Sequence, residues 1–140
     1  MEIEVTSGVI ATLLKEAARA APEECCGLLL GRGGLVSEAR AAANVADDRR
    51  RHFEVDPAAL LKAHKEARSG GPELLGYFHS HPDGHPVPSA ADCEHASGDA
   101  RVWAIIAGGE VLFWLDGADG FREMDVQVAD APPPTSRPPL

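Results

Sequence analysis

Apolar positions along the chain alternate between two rhythms. Val9, Ile10, Leu13, Leu14 and Ala17 recur with a helical period, and Thr6 or Ser7 can cap that helix. Glu2 to Val5 before it predicts a short strand, and Pro22 lies beyond the helix end. Cys25 to Leu30 is a nearly continuous apolar run, as expected of a strand covered on both faces. Gly31 to Gly34 predicts a turn, and Leu35 to Ala43 a returning strand. Asn44 to Arg51 is polar and reads as a loop, with His52 to Val55 short and extended. Asp56-Pro57 starts a second helix, since Asp caps and Pro suits the first helical position. That helix runs to about Arg68 with Leu60, Leu61 and His64 on one side, and Ser69-Gly70-Gly71-Pro72 ends it.

Leu74 to His81 predicts a strand, Pro82 to Pro88 a loop stiffened by proline, and Ser89 to about Ser97 a short helix. Val102 to Ala107 and Val111 to Leu115 predict a hairpin joined by Gly108-Gly109. Asp116 to Gly120 reads as a further turn, and Phe121 to Val128 as a last edge strand. Strands intermingled with helical crossovers imply an α/β domain, a mixed β-sheet flanked by helices, over residues 1–130. Five prolines in the last ten residues exclude a helix or sheet interior, so 131–140 is expected to be a disordered tail.

Length, 140 residues, fits one domain, and 44% hydrophobic residues supply its core. No apolar run approaches the ~20 residues of a membrane span, and the acidic start Met1-Glu2-Ile3-Glu4-Val5 has no signal-peptide character. The expectation is a cytoplasmic protein with no membrane partner. A net charge of −9 disfavours nucleic-acid binding. Arg49-Arg50-Arg51 is the one basic run, either a solvated loop or a contact for an acidic partner. Three cysteines with no CxxC pair argue against a thiolate metal site or a redox motif. Cys25 and Cys26 read as small buried hydrophobes, and Cys93 as core.

The chemistry concentrates in Gly76-Tyr77-Phe78-His79-Ser80-His81-Pro82 and Ser89-Ala90-Ala91-Asp92. Residues i and i+2 of a strand share a face, so His79 and His81 can reach one metal while Phe78 and Ser80 face away. Asp92, in the first turn of the following helix, is the best third ligand. Two histidines and a carboxylate leave a position open for water, as catalytic zinc requires. Taken alone, Ser89-x-x-Asp92 is equally a helix cap. His85 is either a fourth ligand or a substrate contact, and Asp83 suits a turn with Gly84. Tyr77 shares the face of His79 and either supports the site or packs. His52, His64 and His95 read as structural or surface residues.

His79-Ser80-His81, seven residues, then Ser89-Ala90-Ala91-Asp92 resembles the JAMM (MPN-plus) metalloprotease motif, H-x-H-x(7)-S-x-x-D, at every defining position. Pro22-Glu23-Glu24-Cys25-Cys26-Gly27-Leu28 resembles the upstream segment of short prokaryotic members. There the glutamate stands three residues before the glycine, which selects Glu24 over Glu23; the pattern alone leaves both open. The resemblance covers roughly residues 2 to 128 and implies the MPN/JAB domain, a cytidine deaminase-like fold. It implies Zn²⁺ held by His79, His81 and Asp92, with Glu24 as general base and Ser89 as oxyanion donor. It also implies an isopeptidase of deubiquitinase type. Its substrate would be a ubiquitin-like or sulfur-carrier protein, cut after a C-terminal Gly-Gly. Two other classes stay open: a noncatalytic scaffold of the same fold, and a JAMM-like protein with a DNA-associated role. A zinc deaminase is a remote reading, because the P-C-x-x-C half of its signature is absent.

Overall fold

Eight strands and three helices are formed among residues 2–129, the part of the chain that the computed structural model describes. In chain order they are β1 (Glu2–Thr6), α1 (Ser7–Ala20), β2 (Cys26–Arg32), β3 (Leu35–Ala42), α2 (Pro57–Arg68) and β4 (Glu73–Ser80). There follow α3 (Ala90–His95), β5 (Val102–Ala107), β6 (Glu110–Gly117), β7 (Gly120–Glu123) and β8 (Asp125–Ala129). The strands make one mixed sheet in the order β7-β6-β5-β4-β2-β3-β1-β8. Parallel pairs β4–β5, β1–β3 and β1–β8 sit among antiparallel ones. The mixed sheet with flanking helices is therefore as the patterning predicts. The expected tail at 131–140 lies outside the described residues. No described helix is long and apolar enough to cross a membrane.

The segment Phe121 to Val128 departs from expectation. It is extended, but it is not one edge strand: β7 pairs with β6, and β8 pairs in parallel with β1 at the opposite end of the sheet. Only Met124 separates the two strands. Consecutive Cα atoms are ~3.8 Å apart, so the two ends of the sheet approach within ~8 Å there. The sheet must curl to allow this. Met124 is buried, and its N–H donates to the Phe113 carbonyl at 2.8 Å.

Inside the curl lies α1, capped by the Thr6 hydroxyl accepting from the Val9 N–H. Val9 and Leu13 pack with Val5, Leu29, Val36, Phe78, Ile106 and Phe113 in the larger core. Each such side chain, fully buried, contributes about 1.5–3 kcal/mol. The other face of β2 and β4 is covered by α2, where Cys26, Leu28, Leu30, Val55 and Ala63 form a smaller cluster. Leu60 packs against this cluster, but Leu61 and His64 are exposed. The buried stripe of α2 is thus Ala59, Leu60 and Ala63, not the predicted side with Leu61 and His64. Its cap is as expected: Asp56 accepts from the Ala58 N–H, with Pro57 in the first turn.

Two further boundaries move. Cys93 is exposed, not core, because the short α3 turns it away from the sheet. Asp116 is not in a turn. β6 runs on through Gly117, and Asp116 is buried with its carboxylate accepting from the Ser97 and Gly98 N–H groups. A strand position facing inward can hold an aspartate when two backbone donors meet it.

Candidate metal centre

The site sits where β4 ends. A register irregularity between β2 and β4 leaves Leu75 without a paired residue and shifts the alternation, so Leu74 and Tyr77, three residues apart, pack on the same side. Beyond it, Phe78 faces the α1 core and His79 the α2 side. Gly76 lets β4 lie close to β5, since an added Cβ would stand 1.8 Å from the Val102 carbonyl oxygen. His79 is fully buried, and the Phe53 ring stacks on its imidazole at 4.2 Å. Trp103 packs edge-on against both, and Tyr77 edge-on against Trp103. Tyr77 therefore supports the site at one remove.

His81 lies one residue past β4, where its N–H still donates to the Ile106 carbonyl at 2.8 Å. Its Nδ1 faces the His85 carbonyl at 2.8 Å, which places the ring proton on Nδ1 and leaves the Nε2 lone pair facing inward. His85 takes part through this backbone oxygen, while its side chain is exposed and outside the ligand cluster. The loop carrying it is tied down by Trp114, whose indole N–H donates to the Pro86 carbonyl at 3.0 Å.

Ser89 begins α3 with a capping box. Its hydroxyl accepts from the Asp92 N–H at 3.0 Å, and its own N–H donates to Asp92 Oδ2 at 2.9 Å. The Ser89 hydroxyl proton remains free to donate. The cap also aims Asp92 at the histidines. His79 Nε2 and Asp92 Oδ2 are 3.0 Å apart, His81 Nε2 and Asp92 Oδ2 3.2 Å, and the two Nε2 atoms 3.1 Å. Cap and ligand are thus one carboxylate in two roles, where sequence offered them as alternatives.

The electrostatics of this triangle suit a cation. Burial lowers the His79 pKa, holding its imidazole neutral, the form that binds metal. Burial alone would also lower His81, but Asp92, the His85 carbonyl and Glu24 outweigh it and raise its pKa. Burial pushes Asp92 up, yet the His79 and His81 imidazoles beside it and the Ser89 N–H hold it well below the usual carboxylate range. Three lone-pair-bearing atoms converge within 3.0–3.2 Å of one another. An ion bound tetrahedrally at ~2.0–2.1 Å keeps its ligand atoms ~3.3 Å apart, so the residues fit a small divalent cation with little movement.

Glu24 precedes β2. Cys26 pairs with His79 in the antiparallel β2–β4 register, which sets Glu24 across from His81. The Ser80 hydroxyl accepts from the Cys25 N–H at 2.8 Å and extends that pairing. Glu24 is buried, whereas Glu23 lies half-buried in an ion pair with Arg49 at 3.3 Å. Desolvation raises Glu24 to about 7; nearby His81 lowers it, while Asp92 and Asp48 add to the rise. A carboxylate so placed is balanced between its charged and neutral forms.

Several contributors escape sequence reasoning. Asn44 is one: its amide donates to the Glu24 and His52 carbonyls and its oxygen accepts from the Ala46 and Glu54 N–H groups. It fixes Glu24 to the loop before α2, yet in sequence it is one polar residue in a polar loop. Phe53 and Trp114 are others. Their partners lie 26 and 28 residues away, beyond any local pattern. Of the remaining histidines, His95 Nδ1 meets the Ala91 carbonyl within its own helix, and His52 and His64 are exposed.

Two clefts meet at the triangle. One is walled by Glu24, His81, Ser89 and the 82–88 loop. The other, more apolar, runs past Asp92 between Phe53, Leu60, Tyr77, His95 and Trp103.

The chain resembles known proteins throughout this architecture. The family model for prokaryotic homologues of the JAB domain matches residues 6–116. A desampylase of Haloferax volcanii is 36% identical over 110 residues, covering 76% of this chain and 79% of that protein. A probable TtuB-protein conjugate cleaving protease of Thermus thermophilus is 33% identical over 117 residues, covering 84% and 73%. A solution structure of a Desulfitobacterium hafniense protein superposes with a TM-score of 0.80 at 32% identity, covering 93% and 94% of the two chains. A JAB1/MPN domain protein of Archaeoglobus fulgidus shares the fold, with a TM-score of 0.62 at 19% identity over 90% of this chain and 98% of that one. With the family model matching most of its length and a relative 36% identical over 76% of it, the chain belongs to the prokaryotic JAB (JAB/MPN) domain family.

Proposed function

We propose that this protein is a zinc-dependent peptidase that hydrolyses the amide after the C-terminal Gly-Gly of a ubiquitin-like or sulfur-carrier protein. The observation that carries the reading is the convergence of His79 Nε2, His81 Nε2 and Asp92 Oδ2, with buried Glu24 across from His81. Relatives named for desampylation and for cleaving TtuB conjugates support the substrate class. His79, His81 and Asp92 would hold the ion, and His85 and Trp114 would keep His81 and its loop oriented.

Zinc, when bound, supplies Lewis-acid polarisation of a water and of the scissile carbonyl. Glu24 takes a proton from the attacking water as the water oxygen joins the acyl carbon. The same carboxyl then delivers that proton to the leaving nitrogen as the C–N bond breaks. Its pKa, raised to about 7, suits both halves of this exchange near neutral pH. Ser89 donates its free hydroxyl proton to the developing oxyanion. The leaving group must lie on the Glu24 side, in the cleft with the 82–88 loop, since Glu24 protonates it. The carrier's tail then takes the apolar cleft past Asp92.

The test is incubation of the protein with a carrier extended beyond its Gly-Gly, read by intact-mass spectrometry. Wild type should release the extension after the second glycine, and neither Glu24→Gln nor a chelated sample should. An active Glu24→Gln variant, or full activity after chelation, would refute the mechanism.

A further inference from the structure

Next to the catalytic carboxylate stands a turn whose cations the reaction above does not use. Arg50 and Arg51 both line the cleft that also holds Glu24, His81 and Ser89, and Arg51 reaches the apolar cleft as well. Both are exposed. Arg51 has only a loose ion pair, 3.9 Å from Asp48, and Arg50 has none among the described residues. Arg49 is instead turned to Glu23 at 3.3 Å.

The turn is held in place. Asp48 accepts from the Arg50, Arg51 and His52 N–H groups. The Glu24 N–H donates to the Arg49 carbonyl at 2.7 Å, and Asn44 bridges the Glu24 and His52 carbonyls. The backbone of Arg50 is therefore fixed one residue from the point where the turn meets the catalytic glutamate. Asp83 and Glu24 otherwise make this cleft repellent to an anion, on a chain of net charge −9. The two guanidiniums lining it offset those charges and offer planar donors that match a carboxylate.

The geometry of the leaving group decides what they meet. In a linear extension the α-carboxylate is two bonds from the nitrogen that Glu24 protonates. In a conjugate through a lysine side chain, the atoms nearest that nitrogen are apolar methylenes and no carboxylate is near. We propose that Arg50 and Arg51 form a subsite for the free α-carboxylate of the leaving residue. A carrier bearing a single-residue linear extension is then preferred over one joined through a lysine side chain. This rests on the peptidase reading above and narrows its substrate. The step is redox-neutral hydrolysis: the acyl carbon gains the water oxygen, the C–N bond breaks, and the amino acid leaves with its carboxylate still against the arginines.

The experiment uses the full-length, zinc-loaded protein and a ubiquitin-fold carrier ending Gly-Gly plus one alanine. The alanine carries either a free carboxylate or a carboxamide. Wild type should cleave the carboxylate form with kcat/KM about ten-fold higher or more, chiefly through KM. The preference should shrink as salt is raised, because exposed charges are screened. Arg50→Gln/Arg51→Gln should compress the preference to about two-fold or less, and Arg50→Lys/Arg51→Lys should keep part of it. Equal cleavage of both forms by wild type, or a preference that survives the double Gln variant, would overturn the subsite and leave the peptidase standing. Cleavage of neither form would instead sink the peptidase reading, and the subsite with it.

Discussion

Glu24→Gln should stabilise the metal-free protein while it abolishes turnover. Desolvation raises the Glu24 pKa from 4.5 to about 7. Between those values the folded chain keeps a proton that the unfolded chain has released. Stability therefore falls as pH rises through this window, and the whole penalty is present above about pH 7. A tenfold change in proton affinity is worth about 1.4 kcal/mol, so the charged carboxylate costs the apo fold roughly 3 kcal/mol at pH 8. Glutamine has nearly the same shape and stays neutral. For a domain of this size, 1 kcal/mol moves Tm by about 4 °C. Chelator-treated Glu24→Gln should then melt about 10 °C above chelator-treated wild type at pH 8, with the gap closing by about pH 4.5. In the zinc-loaded protein the gap should shrink, because a divalent cation beside the carboxylate favours its charged form. Differential scanning calorimetry at the two pH values, with and without metal, reads all four cases. Equal Tm values at pH 8 in the apo state would refute the argument that burial strains this group.

Two other perturbations test the frame around the site. Trp114→Phe removes the donor to the Pro86 carbonyl and loosens the loop whose neighbouring carbonyl holds His81. Zinc affinity measured by competitive chelation should fall about ten-fold for a stability loss of only about 1 kcal/mol, and unchanged affinity would refute the link. Gly76→Ala would place its Cβ 1.8 Å from the Val102 oxygen and 2.6 Å from the Val102 carbonyl carbon, both backbone atoms of the adjoining strand. The expected loss exceeds about 4 kcal/mol. A variant within about 1 kcal/mol of wild type in urea unfolding would show that β4 and β5 can part.

What sequence could and could not show follows from the range of each interaction. His79, His81, Ser89 and Asp92 lie within 14 residues, and strand and helix periodicity alone bring them to one place. The Asp56 and Thr6 caps are local in the same way. Glu24 was harder: its register opposite His81 depends on β2–β4 pairing, which no local pattern encodes, so only the family resemblance separated it from Glu23. Asn44, Phe53 and Trp114 act through contacts that exist only once distant segments meet. The extended character of residues 121–128 was legible, but the switch of partner at Met124 was not. Alternation reports which face a residue occupies, not which strand it lies beside.

That switch at Met124 bears on how the chain is made. During synthesis β1 can pair with β3 once about 42 residues have emerged, but its second neighbour, β8, is about 80 residues further on. At usual elongation rates the outer edge of β1 waits roughly 4–17 s for its partner. An unpaired strand edge is a template for association with other chains. Nascent or prematurely terminated copies lacking Asp125–Ala129 would expose that edge, although all the residues placed at the metal centre would already be present. For this protein, the hazard of incomplete translation lies in self-association through the N-terminal strand, and not in a missing catalytic group.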